Sequence, residues 1–222
     1  MLGRQKGKAG MADKKMKRKS SKTKVDKEKI ITLPLTKEKV LELKVGDVVL
    51  INGQIVTGRD KIHKFLFSQM PPKEQIPFAL EGTIIYHCGP IIRKTRKGFE
   101  CIAAGPTTSI RLEMYEHSLI SEYGLKGVMG KGGMGKQTLK ALKDEGCVYL
   151  HAIGGAAVYL AGRVKRVVDV WKLDDFGMSE AMWLLDVENF PAVVTMDAHG
   201  KSLHKEIDKK SFEEFRKLTG IR

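Results

Sequence analysis

Apolar residues along this chain recur with two periods, and the alternation between them is the first structural signal. Residues 30–35 form a short apolar run. Residues 47–58 read VVLI, then Asn52-Gly53, then QIVTG, which predicts a hairpin, because Asn-Gly tolerates the positive φ angles of a type I′ turn. Ile62, Phe65 and Leu66 follow at helical spacing, so a helix is expected over 59–69, ended by Pro71-Pro72. Residues 82–88 and 99–103 read as buried strands. Over 107–123 the apolar positions Ile110, Met114, Tyr115 and Leu119, with Ser118 or Ile120, share one helical face, and Gly124 supplies a stop.

The glycines between 124 and 135 exclude core helix and predict a shaped loop, followed by a helix over about 137–145. CVYLHAI reads as a strand, GGAAVYLAG as a short helix, VKRVVDVWKL as a strand, and 181–187 and 192–197 as two more. Residues 202–218 predict an amphipathic closing helix carrying Leu203, Ile207, Phe212 and Phe215. Alternating strands and helices point to a layered α/β domain, and the hairpin makes its sheet at least partly antiparallel.

Composition adds bounds. The 222 residues, 42% hydrophobic and 30% charged, suit one domain. No apolar run approaches the ~20 residues that span a bilayer. Cys88, Cys101 and Cys147 are odd in number and far apart, so they write neither a disulfide framework nor a CxxC metal pair, and a reducing cytoplasm is expected. The first residues are too basic for a signal peptide and lack its apolar stretch.

The net charge of +14 is uneven: residues 1–29 hold 12 Lys/Arg against 3 Asp/Glu, leaving only +5 for residues 30–222. Residues 1–29 are expected to be a disordered basic tail ahead of a domain over 30–222. A nucleic-acid-binding protein using that tail is the reading from a different class. Trp171, Trp183 and the phenylalanines do not interleave with basic residues, which speaks against a stacking platform for single strands.

The densest chemistry is GPTTSIR, where a strand stops and a helix starts among three hydroxyl residues. Arg111 lies four residues after Thr107, so the two can share a face; the alternative is a simple Thr cap with an exposed Arg. In TGRDKIH, Arg59, Asp60 and His63 fall in the first turn of a helix, where Asp60 could equally be a cap. Gly130-x4-Gly135-Lys136 approximates a phosphate-binding loop, but Gln137 stands where Ser or Thr would hold magnesium and no buried strand is evident before it. A loop that brings backbone N–H groups and Lys131 to a smaller anion fits better. His151 ends a strand at a tight Gly-Gly turn. His87, His117, His199 and His204 show no metal-ligand spacing, and no metal site is expected on this chain.

Taken together and in this order, G-R-D-x-x-H, G-P-T-T-S-x-R, K-G-G-M-G and H-A-I-G-G-A-A resemble the beta subunit of class I fumarate hydratase and L-tartrate dehydratase, over about residues 30–220. The resemblance implies a single swivelling β/β/α domain with mixed sheets that works with an alpha subunit, in an expected heterotetramer. In that family the alpha subunit carries an oxygen-sensitive four-iron four-sulfur (4Fe-4S) cluster on three cysteines, one iron acting as a Lewis acid on substrate. The implied activity is reversible hydration of fumarate to S-malate, with L-tartrate dehydration as the alternative. Carried over residue by residue, Arg59, Arg111 and Lys131 grip the dicarboxylate and Thr107 is the base that moves the C3 proton. Asp60, His63, Thr108 and His151 are the supporting candidates. Two substrate carboxylates require fixed positive partners, and Arg offers a planar fork for them. A Thr hydroxyl is a poor base alone and needs a neighbouring acceptor. Where related chains commonly read R-M-x-x-Y, this one has R-L-E-M-Y, an apolar exchange at Leu112.

Overall fold

Several strands of this chain are buried on both faces, which is why their sequences read as near-continuous apolar runs instead of clean alternations. The computed structural model describes residues 28–96 and 98–220. The first half contains β1 (Lys29–Thr32), α1 (Lys37–Leu41), β2 (Val48–Gly58), α2 (Asp60–Gln69), β3 (Ile84–His87), β4 (Ile91–Thr95) and β5 (Gly98–Ala103). Then come α3 (Glu113–Tyr123), β6 (Gly127–Gly130), α4 (Lys136–Glu145) and β7 (Val148–His151). The chain continues with α5 (Ala157–Ala161), β8 (Val164–Trp171), α6 (Leu173–Phe176), β9 (Met182–Met196) and α7 (Leu203–Thr219).

Seven strands form one mixed sheet in the order β1-β2-β3-β6-β7-β9-β8, and because β2 also pairs with β9, the path from β2 through β3, β6 and β7 to β9 closes on itself. β1, β2, β3, β6 and β7 run parallel, while β9 is antiparallel to β2, β7 and β8. β4 and β5 form a separate antiparallel pair. Successive side chains serve two cores. Ile84, Tyr86, Met129, Val148 and Leu150 pack with Ile51, Trp183 and Phe190. Ile85, Val128 and Tyr149 point the other way, against Ile62 and Leu66 of α2, Leu119 and Tyr123 of α3, and Leu139 and Leu142 of α4. The layered, mixed α/β fold is thus the one that the pattern predicts. No helix among the described residues is long and apolar enough to cross a membrane.

Several local expectations are corrected. Asn52-Gly53 makes no hairpin: Gly53, with φ +105°, sits at a bulge where the register against β9 shifts, and β2 runs straight through. The bulge divides β2 into a half paired with β1 and a half paired with β3. The two strands expected over 181–187 and 192–197 are one, β9. Pro191 falls between the stretch paired with β8 and the stretch paired with β7, where its missing N–H is not called upon by an outer neighbour. Part of the glycine-rich 124–135 segment is β6, buried at the centre of the sheet. β5 is largely exposed, not buried. The helix expected over 107–123 begins as a 3-10 turn, Ser109–Leu112, and its buried face is Leu112, Glu116, Leu119, Ile120 and Tyr123, leaving Ile110 and Met114 exposed. A buried glutamate hides this face from any count of apolar positions. α7 forms as expected, but Ile207, Phe212 and Phe215 on it are exposed. Of the expected tail, residues 1–27 lie outside the described residues, and Lys29 belongs to the fold, its ammonium 2.6 Å from the Asp47 carboxylate.

The four parallel strands β2, β3, β6 and β7 end at one edge, with Gly58 paired to His87 and Gly130 paired to His151. Ligands of α/β sheets bind outside such carboxyl ends, where loops from different strands converge.

Candidate functional site

Each segment singled out in the sequence leaves that edge. Arg59 directly follows β2 as the N-cap of α2. Thr107 is hung from β3 by its N–H, which donates to the His87 carbonyl at 2.7 Å. Lys131 directly follows β6 and is locked to the Thr107 segment by two backbone bonds: Ser109 N–H to the Lys131 carbonyl at 3.0 Å, and Lys131 N–H to the Thr107 carbonyl at 3.2 Å. Arg111 projects from the 3-10 turn that follows.

These placements bring the charges together. Arg111 Nη2 donates to the Thr107 hydroxyl at 2.9 Å and to Asp60 Oδ2 at 3.1 Å. The same Asp60 oxygen lies 3.8 Å from Arg59 Nη2, so one carboxylate holds both guanidiniums on one side. Arg59 Nε is buried without a hydrogen bond among the described residues, the Glu180 carboxylate lying 3.5 Å away. The Lys131 ammonium has no ion pair or hydrogen bond with a described residue. Exposures of 29% for Arg59, 47% for Arg111 and 46% for Asp60 mark an open, cation-rich edge. A concavity of about 470 Å³ lined by Phe99, Cys101, Val158 and Val164 lies elsewhere and gathers none of these groups.

The cap readings do not hold. Thr108 occupies the cap position of the 3-10 turn without a side-chain cap bond, and the Thr107 hydroxyl is engaged by Arg111 instead. Asp60 is the first residue of α2 and pairs with the arginines. His151, at the end of β7, has a buried Nδ1 without a partner among the described residues, and burial pushes its pKa down. It stands beside Gly130 in the sheet and 6.2 Å from the His204 ring, without a hydrogen bond to the Thr107 group.

His63 turns away from the open edge into a buried polar chain that sequence reasoning missed. Its Nδ1 lies 2.7 Å from the Arg59 carbonyl and its Nε2 3.1 Å from Glu116 Oε2. His87 Nε2 reaches the same oxygen at 2.9 Å, and its Nδ1 lies 2.9 Å from Ser109 Oγ. Ser109 Oγ is 2.8 Å from the Tyr149 hydroxyl, which accepts the Gly133 N–H at 3.3 Å. Glycines make the room: a Cβ on Gly58 would meet the His63 ring at 2.8 Å, and one on Gly130 would strike Ser109. Burial alone would raise the Glu116 pKa, but the two imidazoles converging on Oε2 outweigh it and hold the carboxyl at about 2. Burial pushes the His87 pKa down, against the pull of the Glu116 charge. The donor atoms of His63, His87 and Glu116 lie within 4.8 Å of one another, so the set is also the metal-capable one among the described residues. No motif spacing announces it, because Glu116 lies 53 residues from His63 and 29 from His87. The available signal was a lone glutamate amid the apolar positions of α3.

The approximate phosphate loop does have its strand, β6, and its helix, α4, so that part of the case against it is overturned. Its helix N-terminus is already filled. The Glu113 carboxylate accepts the N–H groups of Gly135 at 2.7 Å, Gln137 at 3.0 Å and Thr138 at 3.2 Å. Cys88 and Cys147 are buried with their thiols pushed up by burial, and Cys101 is pushed up to about 11 for the same reason.

Residues 4–207 match the Fumarase C-terminus family, a span that takes in most of the basic N-terminal segment. A Geobacillus stearothermophilus protein named putative fumarate hydratase class I is 54% identical over 189 residues, covering 84% of this chain and 36% of that protein. The chain therefore spans about a third of that relative. A Methanocaldococcus jannaschii protein named putative L(+)-tartrate dehydratase subunit beta is 46% identical over 188 residues, 84% of this chain and 96% of its own length. The L(+)-tartrate dehydratase subunit beta of Escherichia coli K12 is 40% identical over 195 residues, 85% of this chain and 92% of its own length.

Proposed function

Because the chain belongs to the Fumarase C-terminus family, we propose that it is the beta subunit of a two-subunit hydro-lyase that interconverts fumarate and S-malate. The observation that carries this reading is that Asp60 gathers Arg59 and Arg111, that Arg111 also donates to the Thr107 hydroxyl, and that the Lys131 backbone is bonded to the Thr107 segment, all at the open end of the parallel strands. A four-carbon dicarboxylate brings two charges into such a site. Asp60 orients the two guanidiniums without exhausting them, since each has five N–H donors. Lys131, free of any described partner, takes the remaining carboxylate oxygen.

Thr107 is the group that receives the C3 proton. A guanidinium donating to its oxygen favours the charged form of that hydroxyl, as a hydrogen bond to an anion does generally. The same cations stabilise the charge that develops on the substrate carboxylate when the neighbouring proton leaves. The stronger acceptor that drains the Thr107 proton belongs to an alpha subunit that covers this edge. The iron–sulfur cluster that the family resemblance implies belongs to that subunit as well. Three free cysteines suit a reducing cytoplasm.

L-Tartrate is the second reading, favoured by one observation: relatives matched over more than nine-tenths of their own length, those of Methanocaldococcus jannaschii and Escherichia coli K12 among them, are named tartrate dehydratase beta subunits. The test is anaerobic reconstitution with the alpha partner, followed by steady-state kinetics on both substrates. The chain alone is expected to be colourless and inactive, and the complex to favour malate and fumarate over tartrate by at least about tenfold in kcat/KM, a difference of roughly 1.4 kcal/mol in the barrier. The reverse ratio assigns tartrate. Turnover of neither substrate by a fully cluster-loaded complex overturns both.

A further inference from the structure

With Glu116 ionised and His87 neutral, the buried chain behind the site has one self-consistent arrangement of protons. A carbonyl only accepts, so His63 Nδ1 carries a hydrogen and donates it to Arg59. A neutral His63 then turns a bare Nε2 toward Glu116 Oε2 at 3.1 Å, and two acceptors do not rest at that distance without a proton between them. His87 gives its Nε2 hydrogen to the same oxygen, so its Nδ1 accepts from Ser109. Ser109 in turn accepts from Tyr149, and Tyr149 from the Gly133 N–H. Donors thus run without a break from Gly133 to Glu116. Glu116 Oε1 has no partner among the described residues, so the two imidazoles are what offset the burial of the carboxylate.

We infer that Glu116 is a positioning residue for the whole site: a buried carboxylate that shares one proton with His63 and, through His87, Ser109 and Tyr149, ties together the backbones carrying Arg59, Thr107 and Lys131. It cannot touch substrate, being fully buried. Each end of the chain holds a site segment. His63 fixes the Arg59 carbonyl, the His87 carbonyl takes the Thr107 N–H, Ser109 N–H holds the Lys131 carbonyl, and Tyr149 holds Gly133 in the loop after Lys131. An error of about 1 Å in such placements costs on the order of a hundredfold in rate. The loss falls on kcat, since the long Arg111 and Lys131 side chains can still reach a carboxylate while Thr107 must meet one particular proton. Only this kinetic consequence rests on the hydro-lyase reading.

The experiment uses the full-length chain with 15N-labelled histidine, assigned by His63→Gln and His87→Gln spectra. His63 is expected to carry protons on both ring nitrogens, and His87 on Nε2 alone. A singly protonated His63, or a stoichiometric metal on the two Nε2 atoms, overturns the shared proton. Amide hydrogen exchange in Glu116→Gln is expected to accelerate at least tenfold at Thr107, Ser109, Lys131 and Gly133, with the β2–β9 pairs unchanged. Uniform acceleration, or none, makes Glu116 an ordinary core residue and overturns the positioning role. If that variant does not fold, Ser109→Ala cuts the chain beyond His87 and must speed exchange at Lys131 and Gly133 while leaving α2 unaltered; no change there overturns the role equally. In the reconstituted complex, Glu116→Gln should lower kcat 10- to 100-fold with KM within threefold, and an unchanged kcat overturns the link to catalysis. A wild-type complex without turnover defeats the hydro-lyase reading, and the exchange result still decides the positioning role.

Discussion

Glu113 and Thr138, 25 residues apart, are joined twice: one Glu113 oxygen accepts the Thr138 N–H at 3.2 Å and the other accepts its hydroxyl at 2.6 Å. A side chain at the start of α3 thereby supplies the negative charge that the N-terminus of α4 attracts. The glycine-rich loop keeps the outline of a phosphate-binding loop, yet its anion is built in.

Glu113→Ala should therefore destabilise the fold by about 1–2 kcal/mol, the upper part of the range for losing an N-terminal cap. Chemical denaturation reads this directly. Lys136→Ala should leave both stability and turnover unaltered, and calorimetry should detect no magnesium-dependent ATP binding in either protein. Tight ATP binding abolished by Lys136→Ala would restore the nucleotide reading.

Arg111→Leu and Lys131→Met should each lower kcat/KM in the reconstituted complex by roughly 30- to 1,000-fold, since truncating one partner of a desolvated charge pair costs on the order of 2–4 kcal/mol. Arg111 should show the larger loss because it also holds Thr107 and Asp60. Both variants keep every backbone bond of the site, so their denaturation midpoints should stay close to wild type. Activity within threefold of wild type for both would move the dicarboxylate elsewhere.

Stability should rise with pH across the acid range. Buried His87 titrates below its ordinary 6.5, so under that pH the unfolded chain binds the proton more readily and stability declines as the solution is acidified. Glu116, held at about 2 against an ordinary 4.5, adds stability that is complete above 4.5 and disappears as pH falls through 2. Denaturation midpoints should fall progressively as the pH is lowered below 6.5. A midpoint that rises on acidification below 6.5 would contradict the charge states of His87 and Glu116.

What the sequence made legible was local. GRD, GPTTS and KGG each carry their chemistry within a few residues, at the point where a strand yields to a turn, so the meeting of Arg59, Thr107, Arg111 and Lys131 was foreseeable once their strands were taken as neighbours. What it hid was set by tertiary context. Asn52-Gly53 has the composition of a hairpin turn, and only the pairing of β2 with β1, β3 and β9 converts it into a bulge. Pro191 argues against a continuous strand until the gap between β7 and β8 is seen. Glu116 breaks the apolar face of α3, and its reason for being there is supplied by two histidines on other elements. His63 was picked out by its motif, yet its partner could not be named because nothing in the spacing links it to residue 116.

Thr107 is proposed to receive the C3 proton. Among the described residues the hydroxyl makes no cap bond and is bonded by Arg111 alone, so Thr107→Val removes it with little change in volume and should cost at most about 1 kcal/mol of stability. The decisive measurement is exchange of the malate C3 proton with deuterated solvent, followed alongside turnover in the reconstituted complex. Thr107→Val should reduce both together by roughly 10²–10⁴-fold, while Thr108→Val, whose side chain makes no cap bond either, should reduce them far less. Exchange and turnover kept by Thr107→Val and lost by Thr108→Val would contradict the assignment.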